Sequence, residues 1–159
     1  REKVQTLAQQ SDGYYFSRQR FDGTPSFVRW RDAQRNGARR ADCNFGSVKR
    51  VERCIDKCVS SYDGDPSYLL DVCRERLVFA SVSDLVVCVQ ALLQDREIEV
   101  RRFRNLLSMR KRQGTMLEYR GVVVNLRITS EEARKFGCES HTCELLLIPH
   151  EFAQLLTPT

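Results

Sequence analysis

Two stretches of the sequence decide the fold: LLDVCRERLVF at residues 69–79 and HTCELLLI at residues 141–148. Each is predicted to be a buried strand with a carboxylate near its start, Asp71 in the first and Glu144 in the second. An ionised carboxylate at the mouth of a buried strand costs free energy unless it is paired or binds a metal. If neighbouring strands bring the two acids together, they form a site for Mg²⁺, which binds carboxylate and phosphate oxygens.

Three basic residues precede the first stretch at a regular spacing. Ser47 is a good helix N-cap, and the apolar residues behind it recur at helical spacing, which predicts an amphipathic helix over residues 47–60. Lys49, Arg53 and Lys57 are four residues apart, so such a helix presents them on one face. An anion lying along this face would relieve the repulsion between the three cations. The alternative is three solvated surface side chains, and the spacing leaves both interpretations open.

The rest of the sequence predicts further helices and strands. These are a helix at 2–10, a strand at 70–80, a helix that begins near Ser81 or Ser83 and ends near residue 93, strands at 98–107 and 119–129, a short helix at 129–137, a strand at 142–148 and a closing helix at 151–156. Because the strands at 98–107 and 119–129 follow each other through a loop, at least one antiparallel hairpin is expected. The predicted fold class is α/β (α+β), a mixed β-sheet flanked by helices.

Residues 1–46 are the least regular part of the sequence and are predicted as an irregular segment with one short helix. Residues 47–159 are predicted to form the main part of a single compact domain. Aromatic residues are interleaved with arginines between residues 11 and 40, which suits either base stacking, as in single-strand binders, or a long loop anchored on the core. The chain begins at Arg1 without an initiator Met, which suits a trimmed or excised domain, and the sequence leaves open whether a larger protein contains it.

The composition is that of a globular protein with an excess of basic residues. The 159 residues are 42% hydrophobic and 30% charged, a balance that argues against an intrinsically disordered chain. The net charge of +5 indicates an anionic ligand such as a nucleotide, RNA or phosphate, or else a solubilising surface. Seven cysteines without a CxxC pair predict reduced thiols and a reducing, cytoplasmic compartment. No apolar run has the roughly 18 residues of a membrane span, so no membrane association is expected.

The two acids have a simpler explanation than a metal. Each could form an ion pair, Asp71 with Arg74 or Arg76, and Glu144 with a neighbour such as Arg127. Such pairing satisfies a carboxylate without any ligand. The spacing along the sequence does not choose between ion pairs and a magnesium site.

Other metal and nucleotide motifs are weak or absent. The spacings Cys54-x3-Cys58 and Cys138-x2-His141-x-Cys143 could supply zinc ligands, although neither matches a known zinc finger. A Cys–His hydrolase has no supporting signature around these residues. The sequence contains neither GxxxxGKS/T nor GxGxxG, which excludes a P-loop and a Rossmann dinucleotide site.

Six short motifs, taken together, resemble the RelA/SpoT-like nucleotidyltransferase domain. In chain order they are Lys49-x3-Arg53-x3-Lys57, Tyr62-x-Gly64-Asp65, Leu70-Asp71-Val72-Cys73-Arg74, Val100-Arg101-Arg102-Phe103-Arg104-Asn105, Tyr119-Arg120-Gly121-Val122-Val123-Val124-Asn125-Leu126 and His141-Thr142-Cys143-Glu144-Leu145. The last three are similar to the family's "RVKNRF", "GYRDVLLNV" and "HVCELQ". Order and spacing match over about residues 46–156, and the similarity is greatest to divergent members in protists and other eukaryotes.

The resemblance implies an activity and a set of site residues. Active members of the family transfer pyrophosphate from ATP to the 3′-hydroxyl of GDP or GTP, and some relatives modify other nucleotides or tRNA. Asp71 and Glu144 would hold Mg²⁺, and Glu144 would also help to deprotonate the acceptor hydroxyl. Tyr119 would stack on the acceptor base. The residues that would bind the ATP phosphates are Lys49, Arg53, Lys57 and Arg74.

The acceptor side of the family pattern is altered in this sequence. Leu106 stands at the Arg of "KNRF", Glu118 at the Gly before the tyrosine, and Leu146 at the usual Gln after the Glu-Leu pair. The two acids and the basic residues are retained. We therefore expect Mg²⁺-dependent pyrophosphoryl transfer from ATP to a GDP- or GTP-like nucleotide or to an RNA hydroxyl. The alternative is a catalytically inactive nucleotide- or RNA-binding module of a larger protein.

Overall fold

The computed structural model describes residues 1–21, 23–108 and 120–156. Its elements are α1 (Glu2–Gln10), β1 (Tyr14–Phe21), β2 (Thr24–Arg29), α2 (Trp30–Arg35), α3 (Gly37–Asp42), α4 (Val51–Ser61), a 3₁₀ helix (Pro66–Tyr68), β3 (Arg74–Phe79), α5 (Val82–Gln94), β4 (Ile98–Asn105), β5 (Val122–Ile128), α6 (Glu131–Lys135), β6 (Cys143–Pro149) and α7 (His150–Ala153). Within these residues no helix has both the length and the apolar character needed to cross a bilayer.

The strands form one mixed sheet in the order β2-β1-β3-β6-β5-β4. β3 and β6, the two apolar stretches, are parallel neighbours at its centre, and the other neighbouring pairs are antiparallel. The mixed α/β class and the predicted hairpin of β4 and β5 are confirmed. Because a central parallel pair is covered on both faces, its strands are expected to be apolar. β6 is apolar from Leu145 to Pro149, whereas β3 begins with three charged residues and is apolar and buried from Leu77 to Phe79.

Each face of the sheet carries its own apolar cluster. Leu77 and Leu147 belong to the larger cluster, which also contains residues of α1 and α5. Val78 and Ile148 belong to the smaller cluster, which includes residues of β1 and α7. Side chains alternate along a strand, so the even-numbered positions of β3 and β6 share the face with the smaller cluster. Arg74 and Glu144, at even positions near the starts of these strands, therefore lie on that face.

The amino-terminal segment is regular, so the prediction of an irregular 1–46 is wrong. The helix at 2–10 is confirmed, but a β-hairpin and two short helices follow it, and Tyr14 of β1 pairs with Val78 of β3. Tyr15 and Trp30 are 0% and 2% exposed, with ring centroids 5.5 Å apart in an edge-to-face contact. These buried rings are core residues and are closed to nucleic-acid bases. The sheet thus contains strands from both sides of residue 46.

The predicted helix at 47–60 begins later than expected. Val48 forms an isolated bridge with Cys73, and the Lys49 amide donates to the Val72 carbonyl at 2.8 Å, which keeps the chain extended up to Arg50. α4 follows from Val51, and no residue of this helix is buried in the described part of the chain. The helical period correctly indicated an amphipathic helix, but it does not reveal what covers the apolar side.

Gly46 is packed against the backbone at the start of β3. Its amide donates to Glu75 Oε1 at 2.8 Å, and a methyl group on its Cα would lie 1.9 Å from the Arg74 carbonyl oxygen. Burial raises the pKa of the Glu75 carboxyl, and the amide of Gly46 opposes this rise. The close approach to Arg74 requires glycine because the opposing atom is backbone and cannot rotate away.

We expect Gly46→Ala to lower the free energy of unfolding by about 2–3 kcal/mol, since the added methyl must displace backbone. Gly37→Ala is the matched control, because a methyl there meets no atom within 4 Å. Urea unfolding followed by circular dichroism measures both. Equal stability of the two variants would contradict the close approach at Gly46.

Candidate functional site

Asp71 is the centre of a cluster of cations. It lies in the segment between the 3₁₀ helix and β3, and its side chain is 6% exposed. Its Oδ2 accepts hydrogen bonds from Lys49 Nζ at 2.5 Å, Lys57 Nζ at 2.8 Å and an Arg74 guanidinium nitrogen at 2.9 Å. One carboxylate oxygen therefore gathers three cations that come from three separate segments of the chain.

The other oxygen of Asp71 is buried and has no hydrogen-bond partner among the described residues. Burial by itself would raise the pKa of this carboxyl, but the hydrogen bonds from Lys49 and Lys57 and the charge of Arg74 outweigh it and lower the pKa to about 2. Asp71 is therefore ionised at neutral pH. Its Oδ1 keeps lone pairs available for a cation, which is the feature that a metal ligand at this position requires.

Arg74 joins the two acids predicted from the sequence. Its second guanidinium contact is from Nε to Glu144 Oε1 at 2.8 Å. Arg74 and Glu144 are paired residues in the parallel register of β3 and β6, and the Glu144 amide donates to the Cys73 carbonyl at 2.8 Å. The planar guanidinium can donate hydrogen bonds to two carboxylates at once because its N–H groups point in fixed, separate directions. Asp71 and Glu144 thus lie within hydrogen-bond reach of one side chain.

The cluster carries an excess of positive charge. Lys49, Lys57 and Arg74 outnumber the two carboxylates by one, and Arg104 adds a fourth cation 3.9 Å from Glu144 Oε2. A bare divalent cation is repelled by such a cluster. A polyphosphate, in contrast, can take over the contacts of the cations and release the carboxylates. The residues therefore fit Mg²⁺ when it arrives together with phosphates.

The structure gathers most, but not all, of the predicted site residues. Lys49 lies before α4, so the prediction that it shares a helix face with Arg53 and Lys57 is wrong, although its ammonium meets the same oxygen as that of Lys57. Arg53 is exposed, and its side chain makes no hydrogen bond or ion pair with any residue in the described ranges. Tyr119 and Glu118 lie outside the described residues.

The ion-pair alternative is also correct in part. Asp71 does pair with Arg74. Glu144 pairs with Arg74 and Arg104 within the described ranges, and not with Arg127 as predicted. These ion pairs and a metal site are compatible, because a bound polyanion can replace the carboxylates as the partner of the cations.

Two further residues next to Glu144 were missed by sequence reasoning. Asn125 is its cross-strand partner on β5, is 2% exposed, and has a side-chain nitrogen without a hydrogen-bond partner in the described part of the chain. The Nε of Arg104 is likewise buried and unpaired among these residues. The signal for Asn125 is a single polar residue within the apolar run VVVNL. Both side chains offer donors beside Glu144 that suit an anionic or carbonyl group of a ligand.

Comparison with known proteins supports the fold. No protein-family model and no curated protein matches the chain. A solved GTP pyrophosphokinase family protein from Streptococcus pneumoniae matches with a TM-score of 0.50 and 20% identity, over 67% of this chain and 50% of that chain. The small alarmone synthetase 1 from Bacillus subtilis, solved with its product pppGpp, matches with a TM-score of 0.50 and 17% identity, over 67% of this chain and 53% of that chain.

The chain has the fold of the RelA/SpoT-like synthetases, as the motifs predicted. It spans about half the length of the two solved proteins. At 17–20% identity the likeness shows the architecture of the chain, and the activity has to be argued from the residues of the site.

We expect Asp71→Asn to lower the free energy of unfolding by about 2–3 kcal/mol at pH 7, because the folded state binds the ionised carboxylate more strongly than the unfolded chain does. The folded state lowers the pKa of Asp71 to about 2, whereas the unfolded value is about 3.9. The stabilisation is therefore fully present above about pH 3.9 and is lost as the pH falls through about 2. Chemical unfolding of both proteins between pH 7 and pH 2 tests this.

Asp56→Asn is the matched control, since Asp56 is an exposed residue of α4. It should leave the stability within about 0.5 kcal/mol at every pH. A stability difference between wild type and Asp71→Asn that stays constant down to pH 2 would show that the carboxylate charge is not responsible.

Proposed function

We propose that this protein transfers pyrophosphate from ATP to a hydroxyl group of a second nucleotide, with Mg²⁺ held by Asp71 and Glu144. The observation that carries the proposal is the Arg74 guanidinium, which joins both acids beside two lysines in a synthetase fold. An RNA hydroxyl is the other acceptor that fits the basic surface. A reducing, cytoplasmic location belongs to the proposal, because the seven cysteines are all unpaired.

The cations around Asp71 form the proposed ATP site. Lys49, Lys57 and Arg74 already bind an anionic oxygen, and a triphosphate offers several such oxygens in place of one. Arg53 lies one helical turn before Lys57 on α4 and is exposed, so we propose that it contacts the phosphates as well. The phosphates would compete with Asp71 for the same donors and thereby release its carboxylate.

The released carboxylates are the proposed ligands of Mg²⁺. The Oδ1 of Asp71 has no partner among the described residues, which supports this assignment, because a buried acceptor without a partner is otherwise costly. When bound, the ion would neutralise charge on the phosphates and polarise the phosphorus that is attacked. Glu144 would contribute its carboxylate from the paired strand.

Glu144 is the proposed acceptor of the hydroxyl proton. As this proton leaves, the acceptor oxygen forms a bond to the β-phosphorus of ATP, the bond from the β-phosphorus to the α–β bridging oxygen breaks, and AMP departs. Asn125 and Arg104 have donors beside Glu144 that lack a partner within the part of the chain that the structure describes, which supports binding of the acceptor on this face of the sheet. Tyr119 is the proposed platform for the acceptor base.

A nucleotide- or RNA-binding module without catalysis is the second candidate. One observation favours it: Leu106 and Leu146, which stand where the family has polar residues, pack into the smaller apolar cluster. These positions therefore support the core and not an acceptor. Binding through the cations around Asp71 needs neither of them.

Incubation with γ-labelled ATP, Mg²⁺ and either GDP, GTP or tRNA separates the two candidates. Pyrophosphoryl transfer predicts a labelled acceptor and an equal amount of AMP. ATP binding measured by calorimetry without any AMP would overturn the enzyme and leave the binding module. If neither ATP nor RNA binds, both candidates fail.

We expect Glu144→Gln to reduce the transfer rate by about 10²–10⁴-fold, the usual contribution of a general base. ATP affinity should change by less than about threefold, since the lysines and Arg74 are retained. Glu131→Gln is the control, because its side chain is 84% exposed on α6. Turnover by Glu144→Gln at the wild-type rate would exclude the proposed role of Glu144.

A further inference from the structure

Three soft metal ligands meet beside the candidate site. Cys73, His141 and Cys143 each place a ligand atom within 4.8 Å of the other two. Cys73 and Cys143 immediately precede Arg74 and Glu144, whose strand pairing brings the two thiols together from distant parts of the sequence. All three residues are partly buried.

We propose that Cys73, His141 and Cys143 bind a zinc ion. Two thiolates and an imidazole are a ligand set that zinc prefers, with the fourth tetrahedral position left for water or another ligand. Ligand atoms about 2.0–2.3 Å from a tetrahedral zinc lie roughly 3.5–3.8 Å from each other. Separations of at most 4.8 Å therefore need only a small closure of the side chains.

A buried nitrogen of the His141 ring is a second, independent observation that supports zinc binding. Its Nε2 is buried and has no hydrogen-bond partner in the described part of the chain. A buried ring nitrogen without a partner costs free energy, and a metal ligand or the hydrogen bonds that accompany metal binding remove this cost. The two thiols are also accessible, because Cys73 and Cys143 line an open cavity of about 950 Å³.

The zinc site differs from the spacing noted in the sequence. Cys138 is near His141 along the chain, but its thiol lies 3.4 Å from the Ala133 carbonyl and is not one of the three clustered ligands. Cys73, which lies about 70 residues earlier, takes its place through the pairing of β3 with β6. Zinc here would tie together the starts of the two strands that carry Arg74 and Glu144. This inference does not depend on the proposed transfer activity.

Cobalt titration of the metal-free 159-residue chain, followed by displacement with zinc, tests the site. We expect one ion per chain, a thiolate-to-cobalt charge-transfer absorption, and a higher Tm with zinc. Cys73→Ser and Cys143→Ser should each weaken zinc binding by at least about 100-fold, more than is typical for a residue outside the ligand shell. Cys138→Ser, the matched control, should bind zinc like the wild type.

Three results would overturn the proposal. The first is that the wild-type chain shows no thiolate-to-cobalt absorption. The second is that Cys138→Ser loses zinc binding while Cys73→Ser retains it. The third is that a Cys73–Cys143 disulfide forms equally with and without zinc. Circular dichroism of each metal-free variant checks folding. If a cysteine variant is unfolded, His141→Asn and the wild-type absorption decide the question, because neither removes a thiol.

Discussion

The guanidinium of Arg74 is the constraint on which the site depends. Its two contacts, to Asp71 and to Glu144, join a segment before β3 to the start of β6. The contact with Asp71 is local, whereas the contact with Glu144 depends on the parallel register of β3 and β6 that places Arg74 opposite Glu144. A shift of one residue in this register would turn one of the two side chains to the other face of the sheet. The apolar residues farther along the same strands prevent such a shift, because it would also expose them.

The charges around Asp71 favour the binding of an anion before that of a divalent cation. The cations outnumber the carboxylates. One oxygen of Asp71 accepts hydrogen bonds from three of these cations, and its other oxygen has no partner among the described residues. An anion is therefore the ligand that the resting site favours, and a divalent cation becomes favourable once phosphates have neutralised Lys49, Lys57 and Arg74. In the proposed function, the carboxylates would be temporary partners that keep the cations in place before a nucleotide binds.

Local patterns in the sequence predicted the strands and helices that depend on residues close together along the chain. Apolar runs located the central strands, and Ser81, one of the two serines expected at the start of α5, caps that helix. The hairpin of β1 and β2 was missed because its aromatic residues and arginines obscure the alternation of a strand. Lys49 was assigned to a helix because the bridge between Val48 and Cys73 is a tertiary contact. Arg104, Asn125 and Cys73 acquire their roles through strand register, which no single stretch of sequence contains.

The pairing of β3 with β6 also has a kinetic consequence. It joins residues about 70 positions apart, and the segment between them must close as a loop before Arg74 can meet Glu144. Because closure of long loops is an entropic cost that precedes any gain from the contact, such non-local parallel pairs form slowly. The ion pair of Arg74 with Glu144 and the approach of Cys73 to Cys143 are therefore expected among the last contacts of the molecule to form, after the local hairpins and α5.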